Sequence, residues 1–153
     1  MTNVIGKMLK LSLIQDLYMI ISKEEAIDSF SIEWEGVDLS LNKWYANRHF
    51  SYRIKEKEFW SNLFLKLLPK RSKKIDKYII TMYFNSRLDA SNTMPMLKIC
   101  EDTMKKNHYI IDDSKKFCKG IEIYPDESMG KKNYKLTVHI LSYATKESKS
   151  YRA

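Results

Sequence analysis

The chain has 153 residues, 44% of them apolar, and it contains three tryptophans and ten tyrosines. This length and apolar content are enough for one hydrophobic core and exclude a mainly disordered chain. Charged residues make up 30% of the sequence, and no apolar run approaches the roughly 18 residues that a membrane span needs. Two cysteines without a C-x-x-C pair indicate neither a disulfide scaffold nor a zinc site. With no signal-peptide cleavage site, these features predict a soluble, cytoplasmic protein without a membrane partner.

The net charge of +8 is concentrated in one quarter of the chain. Residues 43–77 contain 11 lysines and arginines against 3 acidic residues, a surplus equal to the whole net charge. Concentrated positive charge favours a polyanionic partner, because each basic side chain near a phosphate releases condensed counterions. A merely solubilising surface is the alternative interpretation of the same composition.

The first third of the sequence predicts a helix, a strand and a loop. Apolar residues recur at helical spacing over residues 4–21, so residues 1–28 are expected to form an N-terminal helical extension. Apolar and polar side chains alternate over residues 30–34, which indicates a half-buried strand, and Gly36 then permits a hairpin or bend. The polar, aromatic and basic segment at residues 40–49 predicts an ordered loop.

The rest of the chain predicts two longer helices and three strands. Pro69 ends the first of these helices, and Pro95 is tolerated in the first turn of the second. Residues 78–84 form a continuous apolar and β-branched run, which is typical of a central strand. The predicted helices cover residues 52–68 and 94–106, the two later strands cover residues 117–124 and 134–141, and a loose polar tail covers residues 142–153. The expected fold class is α+β, with one domain at residues 29–141 built on a mixed sheet flanked by helices.

Acidic residues lie near the ends of the predicted elements. Asp89 follows the central strand, Asp102 lies within the next helix, and residues 112–113 are a pair of aspartates after that helix. Lys98 lies four residues before Asp102 and therefore on the same helix face. Such carboxylates are suited to Mg²⁺, which takes oxygen ligands from a few carboxylates, water and phosphate. A metal held there would polarise a phosphodiester, and a nearby lysine would stabilise the charge that develops.

The same residues also have ordinary structural interpretations, which spacing alone leaves open. Residues 89–92 are also an N-cap cluster, Lys98 with Asp102 is also a common ion pair within one helix, and residues 112–114 are also a solvated turn. The three histidines are too far apart in sequence to indicate a metal site or a nucleophile, and they receive no catalytic role.

The order of the whole set resembles the RusA family of Holliday junction resolvases, which is common in phages and prophages. The resemblance rests on Arg87-Leu88-Asp89-Ala90-Ser91-Asn92, then Lys98 and Asp102, then Ile110-Ile111-Asp112-Asp113-Ser114. The upstream segment Leu39-Ser40-Leu41-Asn42-Lys43-Trp44-Tyr45, followed by the basic helix, also resembles that family. The similarity covers roughly residues 30–141 and leaves the N-terminal helix and the tail outside it.

Members of that family are homodimers with a mixed sheet and flanking helices, and they cut four-way DNA junctions with Mg²⁺ or Mn²⁺. The resemblance therefore implies a metal-dependent endonuclease of recombination and repair, in a bacterial or phage-infected cell. It implies catalytic roles for Asp89, Lys98, Asp102 and Asp113, and metal binding by Asp89, Asp102, Asp112 and Asp113. Asn92 matches the asparagine of the family motif Asp-x-Asp-Asn. Ser91 departs from that motif, because it stands where many members have the second aspartate, and a hydroxyl is a poor Mg²⁺ ligand.

The basic segment is then the expected DNA-binding surface, reading shape and charge more than base sequence. An exposed ring of Trp44 or Tyr45 would stack on an unpaired base at the branch point, although core packing is the alternative for both. Trp60 lies on the apolar face of its helix and is expected to pack. The expected DNA-binding residues are Asn42, Lys43, Trp44, Tyr45, Arg48, Lys55, Lys57, Lys66, Lys70, Arg71, Lys73 and Lys74.

Two other functions stay open at this point. Ser91 motivates a non-catalytic module of the same fold, which binds branched DNA or a host protein, for example as a phage-encoded inhibitor of a host system. A small RNA-binding or ribosome-associated basic protein is the third interpretation.

Overall fold

A computed structural model describes residues 21–46 and 49–145 of the chain. The described residues contain one mixed four-stranded sheet in the order β1-β4-β2-β3. Strand β4 runs antiparallel to both of its neighbours, whereas β2 and β3 run parallel. The strands are β1 (Asp28–Glu35), β2 (Tyr78–Asn85), β3 (Cys118–Pro125) and β4 (Asn133–Ile140). The predicted α+β class with a mixed sheet and flanking helices is therefore confirmed.

Three α-helices accompany the sheet in the described part of the chain. They are α1 (Leu41–Tyr45), α2 (Phe50–Leu67) and α3 (Met94–Lys106), and short 3-10 turns cover Lys23–Glu25 and Ala90–Thr93. The two longer helices agree with the predicted spans, because their apolar spacing and their prolines are local signals. Pro69 follows the end of α2, and Pro95 lies in the first turn of α3, where its missing N–H costs no helical hydrogen bond.

Strand β2 is the central element, as its uninterrupted apolar run predicted. It pairs with β4 on one side and β3 on the other, and its residues from Tyr78 to Met82 are all buried. Two parallel neighbours cannot be joined by a tight turn, so the chain must cross over the sheet between them. Helix α3 is that crossover element, and it therefore packs beside the strands that it connects.

The core lies between one face of the sheet and helices α2 and α3. Alternate residues of β4, from Tyr134 to Ile140, are fully buried, which is the period expected for one face of a strand. Trp34 of β1 stacks on Tyr134 with ring centroids 5.4 Å apart. The edge-on contacts that Trp34 makes with Trp60 and Phe64 of α2 tie this helix to the sheet.

Two sequence expectations need correction, and one alternative is decided. The segment expected as a loop at residues 40–49 contains helix α1, whose single turn is too short to show a period and is capped by the Ser40 side chain accepting from Lys43 N. Of the two alternatives predicted at Gly36, a hairpin or a bend, the structure has the bend, since β1 pairs with β4. Residues 142–144 are not loose, because their backbone bonds to Asp76 and Lys74.

Other expectations lie outside the described residues. The predicted helix at residues 4–21 falls almost entirely there, as do residues 146–153 of the predicted tail. The boundary of the N-terminal extension at residue 28 stays a prediction. Within the described ranges no helix has the length and apolar character to cross a membrane.

The aromatic contact between α2 and the sheet gives a stability prediction. Trp60 is 1% exposed, whereas its neighbour Phe59 is 50% exposed. We expect Trp60→Ala to lower the free energy of unfolding by about 3–5 kcal/mol, because it opens a cavity between α2 and β1. Phe59→Ala, the matched control, should cost less than about 1 kcal/mol in urea denaturation. Equal losses in the two variants would contradict the packing described here.

Candidate functional site

The candidate site forms where the chain leaves α3 and returns to the sheet. Lys98 and Asp102 share one face of α3, and Lys98 Nζ lies 3.3 Å from Asp102 Oδ1. The same ammonium group donates to Asp113 Oδ2. Asp113 belongs to residues 107–117, the loop after the helix, which we call the return loop. Lys98 therefore bridges two aspartates that are 11 positions apart in the sequence, and this contact brings the return loop against the helix.

A second lysine, Lys105, adds ion pairs with the aspartates of the return loop. Lys105 Nζ lies 2.7 Å from Asp112 Oδ1 and 3.9 Å from Asp113 Oδ1. Residues seven apart on a helix lie on nearly the same face, so Lys98 and Lys105 line the side of α3 along which the loop runs. Lys105 was not among the predicted site residues, although its spacing of seven from Lys98 places it on the same helix face.

Helix α2 contributes the third lysine. Lys57 Nζ approaches Asp102 Oδ2 at 3.9 Å. We call the group of Lys57, Lys98, Lys105, Asp102, Asp112 and Asp113 the lysine–aspartate cluster. Its members come from α2, α3 and the return loop, so it exists only when these three segments are packed together.

The proton affinities in the cluster follow from these contacts. Burial alone would lower the pKa of Lys98, but Asp113 and Asp102 more than offset this and raise it above its ordinary value. The contact with Lys105 lowers the pKa of Asp112 from 3.8 to about 2. Near neutral pH Lys98 and Lys105 are therefore protonated and Asp112 is ionised.

A further carboxyl group lies behind the cluster, inside the core. Glu101 is only 3% exposed, and the Tyr78 hydroxyl donates to its Oε2 at 2.6 Å. Burial raises the pKa of Glu101, and the nearby Asp113 and Asp102 raise it further, against the lowering effect of Tyr78 and Lys98. Glu101 was not among the site residues predicted from the sequence. Its place on the apolar stripe of α3, between Leu97 and Met104, was the available signal.

Asp89 stands apart from the cluster in its contacts. It precedes the 3-10 turn Ala90–Thr93, and its carboxylate makes no hydrogen bond or ion pair with the described residues. Because β2 and β3 are parallel, residues after β2 and residues before β3 leave the sheet at opposite ends. Four aspartates were expected to form one metal site. Asp102, Asp112 and Asp113 lie together in the cluster, and Asp89 does not. The alternative of a capping side chain at Asp89 is not observed either.

The cluster offers two of the carboxylate ligands that a hard cation such as Mg²⁺ uses. Asp102 and Asp113 offer carboxylate oxygens on either side of Lys98, and Mg²⁺ commonly uses one or two carboxylates with water and phosphate. In residues 21–46 and 49–145 no three His, Cys, Asp or Glu side chains converge so as to hold a metal. A divalent ion between the two aspartates would replace the ammonium of Lys98 there.

The expected DNA-binding lysines of α2 divide between two faces. Helical geometry places Lys55 and Lys66 on the side opposite the buried Trp60 and Phe64, and both lysines are exposed. Lys57 instead lies toward α3, in contact with Asp102. The three lysines therefore do not form one continuous stripe along the helix.

The basic turn after α2 lies beside the return loop. Ile75 donates its N–H to the Tyr109 carbonyl and accepts from the Ile111 N–H, so residues 70–74 end next to the segment that carries Asp112 and Asp113. Lys70 and Lys73 are exposed and Lys74 is half-buried. Positive charge thus adjoins the acidic residues in space, although nearly 40 positions separate them in the sequence.

Arg71 has a structural role in that turn. Its guanidinium donates to Asp28 at 2.6 Å and to the Tyr143 hydroxyl at 2.9 Å, and it lies over the Phe30 ring. These contacts fasten the turn to the first strand. Arg71 therefore holds the lysines of the turn in place, and its DNA contact stays a prediction.

The upstream aromatic segment forms helix α1. Trp44 is half-buried against the core, and Tyr45 is 67% exposed with the Arg53 guanidinium over its ring. Asn42 and Lys43 are exposed, and Lys43 pairs with Asp38 at 2.9 Å. Arg48 lies outside the described residues.

Comparisons with known proteins add nothing to this geometry. No protein-family model matches the chain, and no curated protein matches it significantly.

The two perturbed carboxyl groups predict opposite pH effects on stability. The raised pKa of Glu101 means that its contribution is present below about pH 4.5 and is lost as the pH rises through the raised value. The lowered pKa of Asp112 gives a contribution that is present above about pH 3.8 and is lost as the pH falls toward 2.

As the pH rises above about 4.5, we therefore expect Glu101→Gln to gain stability relative to the wild type. As the pH rises from about 2 to about 4, we expect Asp112→Asn to lose stability relative to the wild type. Urea unfolding of both variants from about pH 2 to about pH 8 measures the two slopes. Slopes of the same sign would contradict the environments assigned to these residues.

Proposed function

We propose that this protein is a metal-dependent, structure-selective DNA endonuclease that acts on four-way junctions or other branched DNA in recombination and repair. The observation that carries the proposal is Lys98, held between Asp102 and Asp113 next to a lysine-rich turn. The order of these residues in the sequence, and their resemblance to RusA resolvases, support the same conclusion. We include in the proposal a homodimer, as that resemblance implies.

The proposed chemistry needs a positive group and oxygen ligands at one phosphate. Asp102 and Asp113, with Asp112 beside them, would hold Mg²⁺ or Mn²⁺ together with water and phosphate oxygens. Asp89, the fourth ligand that the resemblance implies, is not joined to this group. When bound, the metal supplies Lewis-acid polarisation of the phosphodiester. Lys98 keeps its charge near neutral pH, and once the metal has replaced its ammonium group between the two carboxylates it would stabilise the negative charge that develops on the phosphate.

The proposed DNA-binding surface consists of exposed lysines around this site. Lys70 and Lys73 lie on the basic turn beside the return loop, and Lys66 lies near the end of α2 that leads into that turn. These side chains are suited to phosphate contacts, which position DNA without reading its sequence. The division of lysines over two faces of α2 suits a branched substrate, whose arms approach from different directions.

A second candidate is a non-catalytic binding module of the same fold. It is favoured by the lysines that neutralise Asp102, Asp112 and Asp113, and by the lack of a three-residue metal group among the described residues. Ser91, in place of a carboxylate, points the same way. Such a module would bind branched DNA, or a host protein, without cutting.

Cleavage of a labelled four-way junction with Mg²⁺ or Mn²⁺ tests the leading proposal. We expect cleavage by the wild type, and a loss of at least about 100-fold in rate for both Asp113→Asn and Lys98→Met. The control is Glu35→Gln, which removes an exposed carboxylate from the edge strand β1 and should leave the rate unchanged.

No cleavage in either metal, or full activity of Asp113→Asn, would contradict the catalytic proposal. Ser91→Asp separates the two candidates. A gain of cleavage in this variant over an inactive wild type would assign the natural protein to the binding module.

The salt dependence of junction binding tests the proposed DNA-binding surface independently of cleavage. Each lysine that neutralises a phosphate adds about 0.9 to the slope of log affinity against log salt. We expect Lys66→Gln and Lys73→Gln each to lower that slope by about 1. Lys131→Gln, a change of an exposed lysine in the turn before β4, is the matched control. An unchanged slope in both test variants would remove these residues from the interface.

A further inference from the structure

An apolar cavity lies directly beside the lysine–aspartate cluster. It has a volume of about 270 Å³ and opens between α1 and the start of α3. We call this cavity the aromatic slot. Its walls are formed by Leu41, Trp44, Tyr45, Met94 and Pro95. Lys57, Lys98 and Asp102 lie at the same opening, so the slot and the cluster share a rim.

The slot is built by fixed contacts on its α1 side. Ser40 is buried and caps α1, and Lys43 is paired with Asp38. Arg53 of α2 donates from Nε to the Trp44 carbonyl at 3.0 Å, and its guanidinium lies over the Tyr45 ring at 5.6 Å. These contacts hold α1 against α2, so that the wall is in place before any ligand arrives.

The opposite wall belongs to the same helix as the proposed phosphate contact. Met94 and Pro95 form the first turn of α3, and Lys98 follows one turn later. A base in the slot and a phosphate at Lys98 and Lys57 are therefore near enough to belong to the same nucleotide or to adjacent nucleotides. The rim holds two lysines and one aspartate, and Asp113 pairs with Lys98 beside it, so a phosphate there would replace carboxylates as the partner of the two ammonium groups.

We propose that the aromatic slot binds one unstacked base of a DNA strand while Lys57 and Lys98 contact a neighbouring phosphate. This inference rests on the proposed function, because it names the part of the DNA that the same site recognises. The cavity is smaller than the roughly 300–1,000 Å³ of pockets for drug-sized ligands, so it suits a single planar ring system. Aromatic walls favour a base, since every base has a face that stacks on them.

The slot makes branched DNA a better substrate than intact duplex. A base in a continuous duplex must first be unstacked and unpaired, which costs a few kcal/mol, whereas a base at a branch point is partly unstacked already. The cost is lowest where the DNA is already distorted. Selection for junctions thus follows from a base-sized cavity beside the phosphate contact, with no reading of sequence.

Junction binding in EDTA tests the slot without interference from cleavage. The probe is a labelled four-way junction with one unpaired nucleotide at the branch, either an adenosine or an abasic residue of the same backbone. We expect the wild type to bind the adenosine junction about tenfold more tightly, which is the size of one base–aromatic stack. Tyr45→Ala opens the slot and Met94→Trp fills it, and both should bind the two junctions equally, with the affinity of the abasic form.

Tyr124→Ala is the matched control, since Tyr124 is an exposed tyrosine on the edge strand β3 and should leave the tenfold preference intact. A wild type that binds both junctions equally would overturn the proposal, as would a preference that persists in Tyr45→Ala and Met94→Trp. Stronger binding of a single-stranded RNA than of the junction would overturn its assignment to DNA.

The outcomes for the slot and for the proposed nuclease are separable. A tenfold preference without cleavage in Mg²⁺ or Mn²⁺ would keep the slot and remove the nuclease. Cleavage without the preference would remove the slot alone. Circular dichroism and urea unfolding of each variant show whether a loss of preference reflects a loss of the fold.

Discussion

The parallel pairing of β2 with β3 is the constraint on which the rest of this structure depends. Parallel neighbours require a crossover, and here the crossover carries helix α3 over the sheet and returns through residues 107–117. The return begins at His108, whose positive φ of 65° reverses the chain after the helix. The aspartates of the loop then lie beside the lysines of the helix. A hairpin between the same two strands would not have brought these charges together.

The charges at this crossover are balanced by local partners. Three lysines from two helices neutralise three aspartates, one of which has its pKa lowered by its lysine partner. The buried Glu101 is held differently, by a tyrosine hydroxyl and a surrounding core that favours its neutral form. The acidic residues at this crossover thus fall into two groups: aspartates that are ion-paired at the surface, and Glu101, which is protonated more readily inside the core. A phosphate or a cation that enters would compete with the existing ion pairs.

Short-range patterns in the sequence were sufficient for most of the elements. The apolar period of α3 and the uninterrupted run of β2 lie within single segments, so no tertiary contact is needed to recognise them. Helix α1 was not recognised, because five residues are too few to show a period. The pairing of Lys98 with Asp102 followed from helical spacing. Its contact with Asp113 did not, because the path of a loop after a helix depends on what the loop packs against.

By itself, the sequence determined the α+β class, the strands and long helices of the described chain, and the segment that holds the positive charge. Those properties follow from hydrophobic period and composition, which are local. Only the tertiary structure decided that Asp113 and Lys105 join Lys98 while Asp89 does not, that Arg71 fastens a turn to the first strand, and that a base-sized slot adjoins the cluster. These outcomes depend on strand order and chain return, which bring together side chains that no local pattern relates.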